Sequence, residues 1–243
     1  MSPRIGEIWV YLAASPLLCL TLTILAYQGA VLVSKRYDNH LLASPVLLAV
    51  TALVTLLWIT GTPYRLYFDG AQFVHFLLGP ATVALAIPLH AQFARLRRMA
   101  LPLLAALFAG SLTASISAVL IGSMLGASDA TLLSLAPKSV TTPIAMGVAE
   151  RIGGLPSLTA VLVILTGILG AVAASGICAL LGIGDRATQG FAVGIASHGI
   201  GTARAFQTSE QAGAFAALAM GLNGLLTALL LPWLMPPLVR WLS

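Results

Sequence analysis

Apolar stretches separated by short polar segments run through the whole chain. Measured against the ~20 residues that cross a hydrocarbon core, they predict an all-α polytopic membrane protein of about eight membrane elements. The first two, about 8–33 and 41–61, are rich in Leu, Val and aromatics and poor in small residues. The third, from about Gly70 to Ala94, contains Leu78-Gly-Pro-Ala-Thr82 and Ile87-Pro88, which predict an interruption at Gly79 and Pro80. The fourth (about 101–126), the sixth (Leu155 to Leu181) and the eighth (about Ala212 to Trp241) carry small residues three or four apart, such as Gly110, Ala114, Ala118 and Gly122. Such stripes let helix backbones approach closely in lipid.

The fifth element (about 131–150) and the seventh (Gly190 to Phe206) are interrupted, and either crossing or re-entry is open to them. In the fifth, Pro137 and Pro143 each remove a backbone donor and disfavour helical geometry just before themselves, so a helix through them is broken or unwound. In the seventh, Gly199 and Gly201 mark the break. Broken backbone at membrane depth is tolerated only where protein buries it or it lines a cavity. The chain is therefore expected to form a single integral membrane domain over 1–243. Within it, about 8–61 would serve as scaffold and about 70–243 as the substrate-binding core.

Composition confirms the membrane frame: 59% of residues are hydrophobic and only 8% charged, roughly a third of the charge of a soluble domain. Mean hydropathy is +0.99. The formal charge of +5 comes from short clusters between apolar runs, where the positive-inside rule expects them. No basic stripe with interleaved aromatics is left to bind nucleic acid. Lys35-Arg36 and Arg95, Arg97 and Arg98 lie two crossings apart, so both clusters can be cytoplasmic with the N-terminus outside. The first run is longer than the apolar region of a signal peptide and is expected to remain as a span. Cys19 and Cys178 each lie inside an apolar run without a partner at metal-ligand or redox spacing and read as small fillers. No metal and no cofactor is expected.

The candidate chemistry centres on Leu135-Ala-Pro-Lys-Ser-Val-Thr-Thr-Pro-Ile-Ala145, which sets a lysine and three hydroxyls in an apolar run. A lysine at the bilayer centre costs roughly 2.5–3.5 kcal/mol on insertion scales, which makes Lys138 a functional-site candidate. The alternative is that it snorkels to the interface. Ser139, Thr141, Thr142 and unwound backbone within a few residues favour function, because a small 2-hydroxy acid needs a cation and free N–H groups for its carboxylate and hydroxyls for its own hydroxyl.

A second group is Ser197-His-Gly-Ile-Gly-Thr-Ala-Arg204. On an unbroken helix His198 and Thr202 share a face. A break would let Arg204 turn inward as a second carboxylate partner. The other reading of His198 is a hydrogen bond holding two helices together. If transport is proton-coupled, His198 is the candidate carrier, since no carboxylate lies mid-span and its ordinary pKa of about 6.5 is within physiological reach. Thr82 joins the candidate site through the third element, and Asn223 stands between an interhelical hydrogen bond and a substrate contact. Asp69, Asp129, Asp185, Arg186 and Glu210 fall at span ends and read as solvated, and Glu150-Arg151 as an interfacial pair.

An internal echo links Leu78-Gly-Pro-Ala-Thr82 followed by Leu101-Pro102 with Leu135-Ala-Pro-Lys-Ser139 followed by Leu155-Pro156. Repeats with paired Gly/Pro interruptions point to transporter binding sites, although Pro and Gly are common in membrane helices in any case.

Leu77–Leu89, Ala136–Ala145, Ile152-Gly-Gly-Leu-Pro156, Thr166-Gly-Ile-Leu-Gly170 and Ala196–Arg204 together resemble the LrgB/CidB family in order and spacing, over about residues 10–240. The resemblance implies a multi-pass protein of the cell (inner) membrane with one of two activities. One is a carrier for small monocarboxylates of the glycolate, glycerate, lactate and pyruvate class, as in the plastid members. The other is an antiholin-like oligomeric regulator or pore that controls murein hydrolase export and cell lysis. It further implies a small LrgA/CidA-like membrane partner, and the uniformly bulky, apolar first two spans are expected to form the contact for that partner or for a homo-oligomer.

Residue chemistry argues against an enzyme. The chain has no Gly-x-Ser-x-Gly elbow, no His-Glu-x-x-His, no P-loop and no dinucleotide fingerprint. Ser139 with His198 is the only conceivable dyad, and both are more simply explained as binding residues. The carrier reading expects the breaks near Pro80, Pro137 and His198 to converge on one polar cavity faced by Lys138.

Overall fold

The computed structural model describes residues 16–37, 43 and 45–242 and, among these, is all helix with no strand. Twelve helices follow in order: α1 Pro16–Arg36, α2 Pro45–Thr60, α3 Tyr64–Phe76, α4 Leu78–Ala84, α5 Ala86–Ala91, α6 Phe93–Arg98, α7 Ala100–Met124, α8 Asp129–Leu135, α9 Thr142–Ile152, α10 Pro156–Leu180, α11 Arg186–Thr208 and α12 Glu210–Leu242. Four of them, Leu17–Arg36, α7, α10 and α12, are long and apolar enough to cross a membrane, and α2 is a shorter apolar helix. Large apolar side chains such as Leu101, Leu169 and Leu229 stand exposed along them, as lipid-facing surfaces require. The 33 residues of α12 span ~50 Å, more than a ~30 Å hydrocarbon core, so this helix is tilted or projects beyond it.

The chain divides into two compact units, one ending at Ala84 and one starting at Leu85. The division falls inside the third predicted span because α3 packs on α1, whereas α5 packs on α12. In the first unit, Thr23 and Tyr67 share a hydroxyl hydrogen bond of 2.7 Å between α1 and α3, and Cys19 is buried. The interruption expected at Gly79 and Pro80 falls instead at Leu77, with Pro80 in the first turn of α4. The first turn is where a missing N–H costs nothing. The same logic places Pro88 in α5, Pro102 in α7, Pro143 in α9 and Pro156 in α10, each within the first three residues. The side chain of Thr82 lies outside the described residues.

The second unit is built from two helical hairpins that enter from opposite ends. From the end marked by Arg95, Arg97 and Arg98, α7 runs inward, with Leu103 and Leu107 packed on Ala187, Phe191 and Ile195 of α11. At the far end a Cβ on Gly122 would stand 2.8 Å from Leu132, so α8 folds straight back against α7. The chain turns at 136–141 and α9 returns to the end it came from. There the backbone at Gly154 abuts Leu133 and Ser134, and the Leu155 N–H donates to Ser134 Oγ at 2.7 Å. α10 then crosses back to the basic end, where Asp185 pairs with Arg95.

α11 is the second hairpin. His198 has φ 41° and ψ −131° and breaks it into arms 186–197 and 199–208. The arms fold on each other: a Cβ on Gly201 would stand 2.5 Å from Ser197 Cβ and 2.8 Å from Val193. α12 starts beside the mouth of this hairpin, with Gly190 against Ala212 and Gly194 against Ala216. It continues to the far end, where Leu231, Met235 and Val239 pack on Val148 and Ile152 of α9. The fifth and seventh predicted elements therefore re-enter rather than cross. The unit repeats one plan in inverted sense: a 25-residue spanning helix followed by a hairpin, once as α7 with α8–α9 and again as α10 with α11. Leu101-Pro102 and Leu155-Pro156 mark the start of each copy.

Candidate functional site

The two hairpin tips meet on Asn223, a little before the middle of α12. Its Nδ2 donates to the Ser139 carbonyl at 3.3 Å and to the Ile195 carbonyl at 3.1 Å. Both carbonyls lie in or within three residues of a break in the chain, and a buried carbonyl left unpaired there costs about 1–3 kcal/mol. One buried amide thus satisfies an acceptor at each tip. Asn223 is 1% exposed, and its Oδ1 has no hydrogen-bond partner among the described residues.

At the first tip, Ala136 to Ser139 form a turn held by Lys138 N–H to Leu135 O at 3.2 Å and Val140 N–H to Pro137 O at 3.3 Å. Thr141 is extended (φ −62°, ψ 145°) and precedes α9 without capping it through its side chain. Pro143 sits at the start of α9, where its missing donor costs no helical bond. Lys138 is half-buried, and its Nζ donates to the Ala114 carbonyl of α7 at 3.0 Å. An ammonium withdrawn from water needs an acceptor, and the second lone pair of a helical carbonyl supplies one. Ser139 is buried, and Thr141 and Thr142 are half-buried.

At the second tip, Ser197 and His198 are 0% and 4% exposed. His198 Nε2 bonds the Val163 carbonyl of α10 at 2.9 Å, which is the interhelical role weighed for it above. The ring lies on Gly167, where a Cβ would stand 2.7 Å from it, and Ser197 Oγ fills the space a Cβ on Gly170 would need. That hydroxyl has no hydrogen-bond partner among the described residues. Thr202 Oγ1 donates to the His198 carbonyl at 2.8 Å, so Thr202 serves the break itself. Gly199 is half-buried beside Met220.

The structure thus brings together Lys138, Ser139, Asn223, Ser197, His198 and Thr202 around two adjoining breaks. It places Arg204 elsewhere: the returning arm carries it to the mouth of the hairpin, where Nη1 donates to Gln207 at 3.0 Å. The break at His198 reverses the chain, which moves Arg204 away from the tip instead of turning it inward. Pro80 belongs to the other unit. The space beside the tips also differs from expectation. A cleft of about 420 Å³ between α7 and α11 reaches Ala114 and Ile195, but apart from Thr188 its walls are apolar. That Ala114 takes the lysine is not legible in the sequence. Its place in a small-residue stripe was the available signal, since a small side chain leaves the helix carbonyl accessible.

Four helices, among the described residues, that are long and apolar enough to cross a membrane, with a pair of opposed re-entrant hairpins, define an all-α, multi-pass membrane protein with a buried polar meeting point. The chain belongs to the LrgB-like family, whose model matches residues 23–236. It is 39% identical over 216 residues to the uncharacterized protein YwbG of Bacillus subtilis, covering 89% of this chain and 96% of that one. It is 28% identical to the holin-like protein CidB of Staphylococcus epidermidis over 88% of this chain and 93% of that one. With the antiholin-like protein LrgB of Bacillus cereus it shares 27% identity over 91% and 96%. No solved structure matches it.

Proposed function

We propose that this protein is a non-catalytic carrier for small monocarboxylates of the glycolate, glycerate, lactate and pyruvate class, working by alternating access. The observation that carries this reading is the meeting of two oppositely inserted hairpins on Asn223, with Lys138 at one tip. Paired broken helices from inverted repeats are how many carriers build a mid-membrane site. A carboxylate there has a cation to pair with, and the hydroxyls of Ser139, Thr141 and Thr142 lie within the same few residues. Saturable uptake of a labelled two- or three-carbon hydroxy or keto acid into proteoliposomes is expected. Lys138→Met should abolish it while leaving the protein's elution profile unchanged. Absence of saturable flux for every such acid defeats the proposal.

The names of the relatives favour a second reading, an antiholin-like or holin-like oligomeric regulator or pore that controls murein hydrolase export and lysis. In that case Lys138→Met has little effect, and bulky residues in the small-residue stripes abolish assembly. In both readings the bulky apolar helices α1 and α2 are proposed as the contact for a second copy or for a small LrgA/CidA-like partner.

A further inference from the structure

The mouth of the second hairpin holds a cleft of about 180 Å³ that the buried meeting point does not use. Arg186 on the entering arm and Arg204 on the returning arm both line it. The two arms repeat one device. Arg186 Nη1 donates to Gln189 Oε1 at 3.0 Å, and Arg204 Nη1 donates to Gln207 Oε1 at 3.0 Å. Each guanidinium is oriented by the glutamine three residues on, and that bond uses one of its five N–H donors. Ser175 of α10 and Thr208 add hydroxyls, and the rest of the wall comes from small residues of α10, from Gln189, Gly190, Val193 and Ala205 of the two arms and from Ala212 of α12. Among the described residues no carboxylate lines this space. Asp185, the nearest acid in sequence, is engaged by the Thr188 N–H and hydroxyl at 2.8 Å each and by Arg95.

We infer that this cleft is an anion site in which the two arginines take a small carboxylate or phosphate group between the arms of the hairpin. Two forked cations lining one cleft, with no carboxylate among its described lining residues, match the planar oxygens of such a group, which arginine holds bidentately. The site lies at the end marked by Arg95, Arg97 and Arg98, the cytoplasmic end by the positive-inside rule. The anion is a free solute or the headgroup of an anionic lipid; the chemistry is shared. Its occupancy bridges 186–197 to 199–208 and so stiffens the hairpin that ends at His198. The inference does not rest on the carrier reading, because binding at the mouth is independent of whether any solute is moved.

Charge-selective labelling in proteoliposomes tests it. Ser175→Cys in a Cys19→Ala, Cys178→Ala background places a single thiol on the cleft wall. Ala179→Cys, also on that wall, substitutes if the first variant does not react with a neutral methanethiosulfonate. An anionic methanethiosulfonate should react faster than a cationic one by at least about fivefold, roughly the effect of one unit charge at contact distance in water. Arg186→Gln with Arg204→Gln should remove that preference while leaving the neutral reagent's rate unchanged. In phosphatidylcholine liposomes, slowing of the reaction by added lactate or inorganic phosphate assigns the site to a free anion. Slowing only when phosphatidylglycerol is included assigns it to a lipid headgroup. Equal rates for the two charged reagents, or a preference that survives the double substitution, overturn the inference.

Discussion

The two hairpins reach the same depth by different means. The first is broken by its own covalent chemistry: Pro137 lies in a six-residue non-helical turn at 136–141 and Pro143 just after it, and the relaxed backbone there carries Lys138. The second contains no proline between Arg186 and Thr208. Its break is concentrated in one residue, His198, at φ 41°, a conformation that costs a side-chain-bearing residue about 1–3 kcal/mol and persists only when the surroundings enforce it. Those surroundings are the glycines of α10 and the close contact of the 186–197 arm with α12. A locally encoded break tolerates change around it, whereas a break imposed by packing depends on each close approach.

The largest expected effect follows from that dependence. A Cβ on Gly190 would stand 2.0 Å from the Ala212 carbonyl oxygen, and backbone cannot move aside cheaply. Gly190→Ala should therefore cost about 3 kcal/mol through overpacking, read as a loss of monodisperse protein on heated size-exclusion runs. Gly147, on the returning arm of the first hairpin, has nothing within 4 Å of its built Cβ. Gly147→Ala should leave stability unchanged or raise it by up to about 1 kcal/mol from helix propensity. Similar outcomes for the two substitutions would erase the contrast between the hairpins.

Next comes the joint between them. Asn223→Ala removes the buried amide donor from the Ser139 and Ile195 carbonyls together, which should cost about 2–3 kcal/mol. Protease should then reach both tips and not only one. A smaller effect separates strain from contact at the second tip. His198→Ala keeps the unfavourable φ and removes the bond to Val163, for an expected loss of about 1–2 kcal/mol. His198→Gly loses the same bond but relieves the backbone, so it should melt above His198→Ala. The reverse order would mean that His198 is not strained.

The smallest effect concerns the entry of the second hairpin. Asp185 caps α11, and the Thr188 N–H, then the Thr188 hydroxyl and the Arg95 guanidinium, hold its carboxyl below the usual range despite some opposing effect of burial. A carboxyl depressed in the folded state stabilises above its unfolded pKa of about 3.9, and that stability is lost as pH falls through the lower folded value. Melting temperature between pH 5 and pH 2 should drop less in Asp185→Asn than in the parent. Asp185→Ala should cost about 1 kcal/mol at neutral pH.

Much of this architecture is legible in sequence because it depends on neighbours along the chain. Hydropathy marks α7, α10 and α12 to within a few residues, since partition into lipid is nearly additive over a contiguous stretch, while the predicted start of the first span lies outside the described residues. Prolines mark the first tip, and a lone lysine in an apolar run marks its candidate chemistry. The third predicted span is less well described. Its prolines announce helix starts at Leu78 and Ala86, and where the breaks fall is a matter of one turn.

Re-entry itself was not legible, because an apolar stretch carries no sign of the side on which the chain leaves. That is decided by contacts between residues far apart in sequence. The Leu155 N–H on Ser134 returns α9 to its own end, and Gly201 against Val193 folds the arms of α11 together. The same cause separates two residues that the sequence grouped. His198 and Arg204 lie six positions apart in one motif, yet the reversal at His198 leaves the imidazole at the tip and carries the guanidinium to the mouth. Asn223 stood open between a structural and a binding role because its two carbonyl partners come from segments 84 and 28 residues away. Local chemistry thus determined which segments enter the membrane and where the first of them breaks. Only tertiary packing decided that two of them turn back, and that they do so against each other.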